Sequence, residues 1–274
     1  MSTIPTNQER RREWLIKALL ADMGIAHEMP TGPDNQRALL RALFNVRPPK
    51  EASSEFLRVQ DAYLQARLRE RGVVHVGDPG FLASPDGLLL WQGDITRLAA
   101  DAVMNAANDQ MLGCFTPGHH CIDNAIHTFA GVQLRLECAR IMQAQGHAEP
   151  TGQAKVTPAY NLPSKYVVHT VGPIAEGGRP TRRDCELLAS SYRAVLDAAC
   201  TAGCESVALC CLSTGVFGFP RREAARIAVD TVRAWQAETE TAKAGRRELT
   251  VVFNVFLDDD LRLYRELLGI HAGQ

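Results

Sequence analysis

Between residues 78 and 87, in "DPGFLASPDG", the hydrophobic rhythm of this 274-residue chain changes once and does not change back. Before that point, from residue 7 to about 71, apolar residues recur at spacings of three and four: Trp14, Leu15, Ala18 and Leu19; Leu39, Leu40, Leu43 and Phe44; Phe56, Val59, Tyr63, Leu64 and Leu68. The turn-forming segments "TGPDN" and "RPPKEASS" divide this region into three helices. Beyond it, short apolar runs alternate with helical patterns. "LLLWQG", "AVMNAA", "AKVTPAY", "KYVVHTVG", "SVALCCL" and "ELTVVFNVF" read as strands, and residues 122 to about 145, 185–202, 220 to about 238 and 259–268 as helices. Strands that alternate with helices can pair in parallel, because each helix is the crossover that a parallel pair needs. The expectation is an α/β layer fold with a largely parallel or mixed sheet over residues 75–274, preceded by an all-helical N-terminal extension over residues 1–74. The extension carries no candidate chemistry and reads as a packing appendage or a lid.

Thirty Lys and Arg nearly balance thirty-one Asp and Glu, so no global field draws in a nucleic-acid backbone and no nucleic-acid partner is expected. No apolar run approaches the roughly 20 residues of a membrane span. The start, "MSTIPTNQERRREW", lacks the apolar segment of a secretory signal, and Glu9, Glu13 and Asp22 argue against a transit peptide. A cytoplasmic protein with no membrane partner is expected. Its eight cysteines then read as reduced thiols or metal ligands rather than a disulfide frame.

Two of those cysteines fall in "GCFTPGHHCIDNAIH", residues 113–127. Cys114, His119 and Cys121 place three thiolate or imidazole donors within eight residues, a set suited to zinc. Three protein ligands leave one position for water or substrate, which favours a catalytic ion over a structural one. Three alternatives stay open: His120 in place of His119, His127 as a fourth ligand that closes a structural site, or two buried thiols with no metal at all.

Two further segments hold candidate binding groups. A strand that ends in Gly93 and Asp94 puts a carboxylate where ligands of open α/β sheets sit, able to accept from an exocyclic amine such as that of adenine, although an Asp there also caps a helical turn. Asn105 and Asn108 follow in the next strand; an amide suits the vicinal hydroxyls of a ribose, and asparagine also simply forms turns. In "LSTGVFGFPRREAAR" a strand leads through Ser213, Thr214, Gly215, Val216, Phe217 and Gly218 into a helix that starts near Pro220, either a tight connection or an anion site for a phosphate or pyrophosphate. It has neither the Gly-Lys-Ser/Thr ending of a P-loop nor the spacing of a dinucleotide fingerprint.

Taken together, "GDITRLAADAVMNAAN", "GCFTPGHHCID" and "STGVFGFP" resemble the macrodomain family over roughly residues 75–270, and the cysteine and histidine insertion, like the helical leader, resembles its zinc-containing, sirtuin-associated subfamily. The resemblance implies a three-layer α/β/α macrodomain with a mixed central sheet. It implies that Asp94 and Ile95 hold adenine, that the loop from Ser213 to Phe219 wraps the diphosphate and distal ribose, and that Asn105 and Asn108 orient that ribose. One zinc on Cys114, His119 and Cys121 would stand beside the anomeric carbon, with Asp123 the carboxylate nearest the reaction. The implied activity is zinc-dependent hydrolysis of mono-ADP-ribose from modified proteins, through an acidic or other O-linked attachment; the implied partner is a lipoyl-carrier protein modified by a sirtuin-like transferase. The competing expectations are a non-catalytic ADP-ribose reader with structural zinc, an enzyme acting on a free acylated ADP-ribose, and a scaffold without ADP-ribose affinity.

Overall fold

Helices α1 (Gln8–Met23), α2 (Pro33–Val46) and α3 (Ser54–Arg71) come first in this computed structural model, which describes residues 5–241 and 249–271. Their ends follow local chemistry: Asn7 accepts from the Arg10 amide at the start of α1, Ser53 accepts from Phe56 at the start of α3, and Pro33 opens α2. Leu15, Ile16, Leu19, Leu40, Leu43, Phe56 and Val59, apolar at helical spacing in the sequence, are buried around one centre of their own. Val132, from beyond the extension, joins this centre and couples it to the rest of the molecule.

The remaining elements are β1 (Val74–His75), β2 (Leu82–Ala83), β3 (Leu89–Gln92), β4 (Leu98–Ala99), β5 (Ala102–Ala107), α4 (Ile122–Ala130), α5 (Val132–Gln145), β6 (Ala154–Pro158), β7 (Tyr166–Val171), α6 (Arg182–Thr201), β8 (Ser206–Leu209), α7 (Arg221–Thr241), β9 (Thr250–Val255) and α8 (Asp258–Leu268). A seven-stranded sheet runs in the order β2-β3-β9-β8-β5-β7-β6. Its inner pairs are parallel, and the outer pairs β2 with β3 and β6 with β7 are antiparallel, so the sheet is mixed. Strands β5, β7 and β9 are buried along nearly their whole length, as strands covered on both faces must be. Helices α4 and α5 pack together against β5 and β6, and α6, α7 and α8 pack side by side, giving the expected three-layer α/β/α arrangement with the helical extension ahead of it.

Two elements differ from the sequence reading. The single helix expected over 122–145 is broken at Gly131, whose φ of 99° is a conformation that favours glycine. The break is held from the extension: Gln60 accepts from the Val132 amide (2.9 Å), and a Cβ on Gly131 would lie 2.6 Å from Gln60 Nε2. The expected strand "SVALCCL" pairs only through Leu209. From Cys210 the backbone leaves the ladder, and the buried Tyr192 hydroxyl takes over its polar groups, donating to Cys210 O (3.0 Å) and accepting from Leu212 N (3.1 Å).

Candidate functional site

At the carboxyl ends of β5, β8 and β9, where open α/β sheets bind ligands, lies a cleft of about 870 Å³. Asn108, Cys114, His119, Cys121, Asp123, Ser213, Thr214, Gly215, Val216 and Phe217 all line it. Residues that are separate in sequence therefore share one wall-to-wall space, large enough for a nucleotide-sized ligand.

One end is formed by the loop between β5 and α4. Cys114 Sγ lies 3.4 Å from His119 Nδ1, and the donor atoms of Cys114, His119 and Cys121 all fall within 4.8 Å of one another. Two sulfurs and one imidazole nitrogen at that separation fit a tetrahedral zinc with one position left over. Burial, followed by the neighbouring Cys114 sulfur and Asp123, pushes the Cys121 thiol up to about 12; a cation between the sulfurs would reverse this by favouring the thiolates. His120 lines the cleft but is outside this donor group. His127 is also outside it, grouped instead with the buried Cys138 and His169, so it does not close the three-donor set. Gly113 precedes the loop at φ 80°, and a Cβ there would meet the His127 ring at 2.8 Å.

Behind the donors, Cys121 caps α4 and Asp123 sits in its first turn, 5% exposed. Burial raises the Asp123 carboxyl to about 6, against the opposing pull of the Asn105 hydrogen bond and the Arg135 charge. Asn105 Nδ2 donates both to Asp123 Oδ1 (2.8 Å) and to His169 Nδ1 (3.1 Å), which assigns the His169 proton to Nε2, beside Thr157 Oγ1 at 2.9 Å. His169 is held down to about 3 by burial and stays neutral. His127 Nε2 lies 3.5 Å from Asp123 Oδ1. This neutral, interior network fixes where Asp123 points.

The opposite wall is the loop from Ser213 to Phe217, followed by α7. Ser213 O accepts from Phe219 N, Gly215 O from Gly218 N, and Phe217 O from Ala175 N, so these three carbonyls of the loop are engaged within the protein. Ser213 holds a positive φ of 65°, strained for a residue with a side chain, and its buried Oγ has no hydrogen-bond partner in the protein. A strained backbone carrying an orphaned hydroxyl in a cleft wall fits a ligand contact.

Five expected residues are not among those that line the cleft, Phe219 among them, which is buried at the end of its loop. Asn105 is 0% exposed and supports Asp123 from behind. Gly218 makes the turn that returns the loop, at φ 69°. Asp94 caps the short turn Ile95–Arg97, accepting from the Thr96 amide and hydroxyl while its other oxygen meets Arg71 at 3.0 Å; Ile95 is buried. The β3 tip is nonetheless close, because Asn254, which does line the cleft, donates to Gly93 O at 3.0 Å. Sequence reasoning missed Arg221, Asn254, Phe256, Leu257 and Asp260, which complete the wall. An asparagine near the end of the apolar strand "TVVFNV" was the available signal.

Comparison with known proteins follows the same lines. The Macro domain family model matches residues 104–228. A protein-ADP-ribose hydrolase of Treponema medium is 52% identical over 266 residues, covering 96% of this chain and 99% of that protein. One of Staphylococcus aureus is 48% identical over 276 residues, covering 99% and 100%. Among solved structures, the Trypanosoma brucei macrodomain in complex with ADP-ribose superposes with a TM-score of 0.62 at 28% identity, over 88% of this chain and 97% of that one. The Oceanobacillus iheyensis macrodomain with ADP gives 0.57 at 33% identity, over 66% and 90%. The first likeness spans more than residues 75–274 can supply and so extends into the helical extension. Identity of about half the residues across nearly the full length of both chains settles the lineage: this chain belongs to the macrodomain family.

Proposed function

We propose that this macrodomain is a zinc-dependent hydrolase that releases mono-ADP-ribose from modified proteins, in the cytoplasm, with an acidic or other O-linked attachment as substrate. The observation that supports it most is the opening of the three-donor group and the buried Asp123 onto the same cleft as the Ser213–Phe217 loop. A passive reader of ADP-ribose needs the loop but neither of the other two. The relatives named as protein-ADP-ribose hydrolases support the same reading.

In this reading the loop and the start of α7, with Arg221 beside it, receive the diphosphate. Asn108, whose side chain already braces its own turn by donating to Gly113 O (3.2 Å) and accepting from Gln110 N (3.1 Å), orients the distal ribose. Asp94 and Ile95 hold adenine at the β3 tip. Cys114, His119 and Cys121 hold the zinc. When bound, it supplies Lewis acidity that stabilises negative charge on an oxygen. Asp123, at about 6, is ionised near neutral pH and matched to take a proton from water. The water oxygen bonds to the anomeric carbon, the bond from that carbon to the side-chain oxygen breaks, the proton passes to Asp123, and the side chain leaves as its carboxylate. The extension over 1–74 and the macrodomain over 75–274 are the two units of this scheme. The partnership with a sirtuin-like transferase and a lipoyl-carrier protein is part of the proposal and rests on the sequence resemblance alone.

The test is release of ADP-ribose from a mono-ADP-ribosylated protein, before and after chelator stripping and zinc restoration, beside Asp123→Asn. Release should vanish on stripping and return with zinc, and Asp123→Asn should lower it by roughly 10²–10⁴-fold while ADP-ribose still binds. Release that survives stripping refutes the zinc requirement; binding without release from any linkage makes the protein a reader.

A further inference from the structure

We infer that the helical extension sets the metal affinity of the macrodomain, with Arg41 and Asn45 of α2 as positioning residues for the loop that carries Cys114, His119 and Cys121. The inference rests on the metal reading above. Residues 114–121 form neither strand nor helix, so the loop's shape depends on what holds its backbone. Much of that hold comes from one face of α2, since residues four apart lie above one another on a helix.

Arg41 Nη2 donates to His119 O (3.1 Å) and to Asn124 Oδ1 (2.9 Å), and its Nε also reaches Asn124 Oδ1 (3.2 Å). Among the described residues, every hydrogen bond of this guanidinium goes to His119 or Asn124. Asn45, 0% exposed, accepts from Gly118 N (3.0 Å) and donates to Thr128 Oγ1 (2.9 Å). The amide before His119 and the carbonyl of His119 itself are thus both fixed from the extension. Asn124, held by Arg41, passes the constraint on: its Nδ2 donates to Thr116 O (3.1 Å) and its backbone N–H to Cys121 Sγ (3.4 Å).

A three-donor site gains affinity when its donors are already gathered, because the ordering entropy is then not charged to binding. Groups that orient metal ligands without touching the metal typically change affinity by 10–100-fold when removed. Here those groups lie 73 and 78 residues before the loop atoms they hold. The third helix makes a parallel contact at the other expected end of the site, where Arg71 meets Asp94 and Thr96 at 3.0 Å each.

The experiment titrates zinc into the chelator-stripped full-length chain against a competing chromophoric chelator. It compares Arg41→Ala, Arg41→Lys and Asn45→Ala with Arg37→Ala, which removes a half-buried side chain of the same helix that pairs with the exposed Asp34. Thermal melts of each stripped protein run alongside. Arg41→Ala and Asn45→Ala should weaken the zinc Kd by roughly 10–100-fold, Arg41→Lys by less, and Arg37→Ala not at all, with the Arg41 variants melting like the stripped wild type. Equal zinc affinity in wild type and both Arg41 variants overturns the inference while leaving the metal reading intact. A Kd loss matched by the same loss of melting temperature in every variant overturns it in favour of plain stabilisation. Failure of the wild type to take up one zinc overturns the metal reading and the inference with it.

Discussion

Replacing Tyr192 with Phe removes a single oxygen from the core and should destabilise the fold by about 2–4 kcal/mol. The ring is 0% exposed, and burial pushes its phenol well above the usual value, so it is always the neutral donor. In the variant, Leu212 N loses its acceptor and Cys210 O its donor, in a segment where both residues are at most 5% exposed. An orphaned buried N–H costs about 1–3 kcal/mol, and the carbonyl, with a second lone pair, falls at the low end of that range. Phe fills the same space, so no sizeable cavity adds to the sum. At 2–4 °C per kcal/mol for a chain of this size, the melting temperature should fall by about 4–16 °C. Urea unfolding followed by circular dichroism, with the m-value unchanged, gives the free energy directly. Because Cys210 to Leu212 leads into Ser213 at φ 65°, the ADP-ribose Kd measured well below the melting range should also weaken, by roughly tenfold or about 1.4 kcal/mol. A stability loss under about 0.5 kcal/mol would refute the view that the phenol replaces the missing ladder, since even one net hydrogen bond is worth that much.

Gly131→Ala should destabilise the protein by about 1–3 kcal/mol in the same urea assay, since it combines a φ of 99° with a Cβ 2.6 Å from Gln60 Nε2; an unchanged midpoint would show that the α4–α5 junction relaxes freely. Stability of the metal-free protein should fall as pH drops. Burial holds His169 at about 3 and His127 well below its usual value, while unfolded histidines take up protons near 6.5. The unfolded chain therefore binds more protons below about pH 6.5, toward pH 3 in the case of His169, and each histidine removes up to about 1.4 kcal/mol per pH unit while it stays neutral in the fold. Asp123, raised to about 6, offsets part of one histidine's effect between about pH 6 and 4. Urea midpoints that stay flat from about pH 7 to 5 would contradict the neutral, buried assignment of both rings.

The layer fold was readable because strand β5 coincides with "AVMNAA" and the helices of the extension keep an unbroken three-and-four spacing. What escaped was set by tertiary contact. The break at Gly131 exists because Gln60 fills the junction from a helix 72 residues earlier, and no local pattern announces that. Strands β1, β2 and β4 have two residues each, too few for any alternation to register. At the site, Cys114, His119 and Cys121 could be listed together because they are close in sequence. Asn105 was legible as a polar residue in an apolar strand but not as the support of Asp123, since that role depends on the His169 ring across the neighbouring strand. Arg41 and Asn45 were invisible for the same reason: on a helix they look like solvated residues until the loop is laid over them.

The sheet order has a bearing on how the molecule comes into being. Strand β3 finds its parallel neighbour only in β9, and Gly93 O receives its hydrogen bond from an asparagine 161 residues downstream. A nascent chain that has emerged only through α7 already possesses the Cys114–Cys121 loop, Asp123 and the Ser213 turn, yet its sheet has a gap between β3 and β8 and its cleft lacks the wall made by Asn254, Phe256 and Asp260. The unpaired strands beside the gap are open to other chains until β9 is inserted. Synthesis past residue 260 is thus the point at which both the inner pairing of the sheet and the cleft wall are complete.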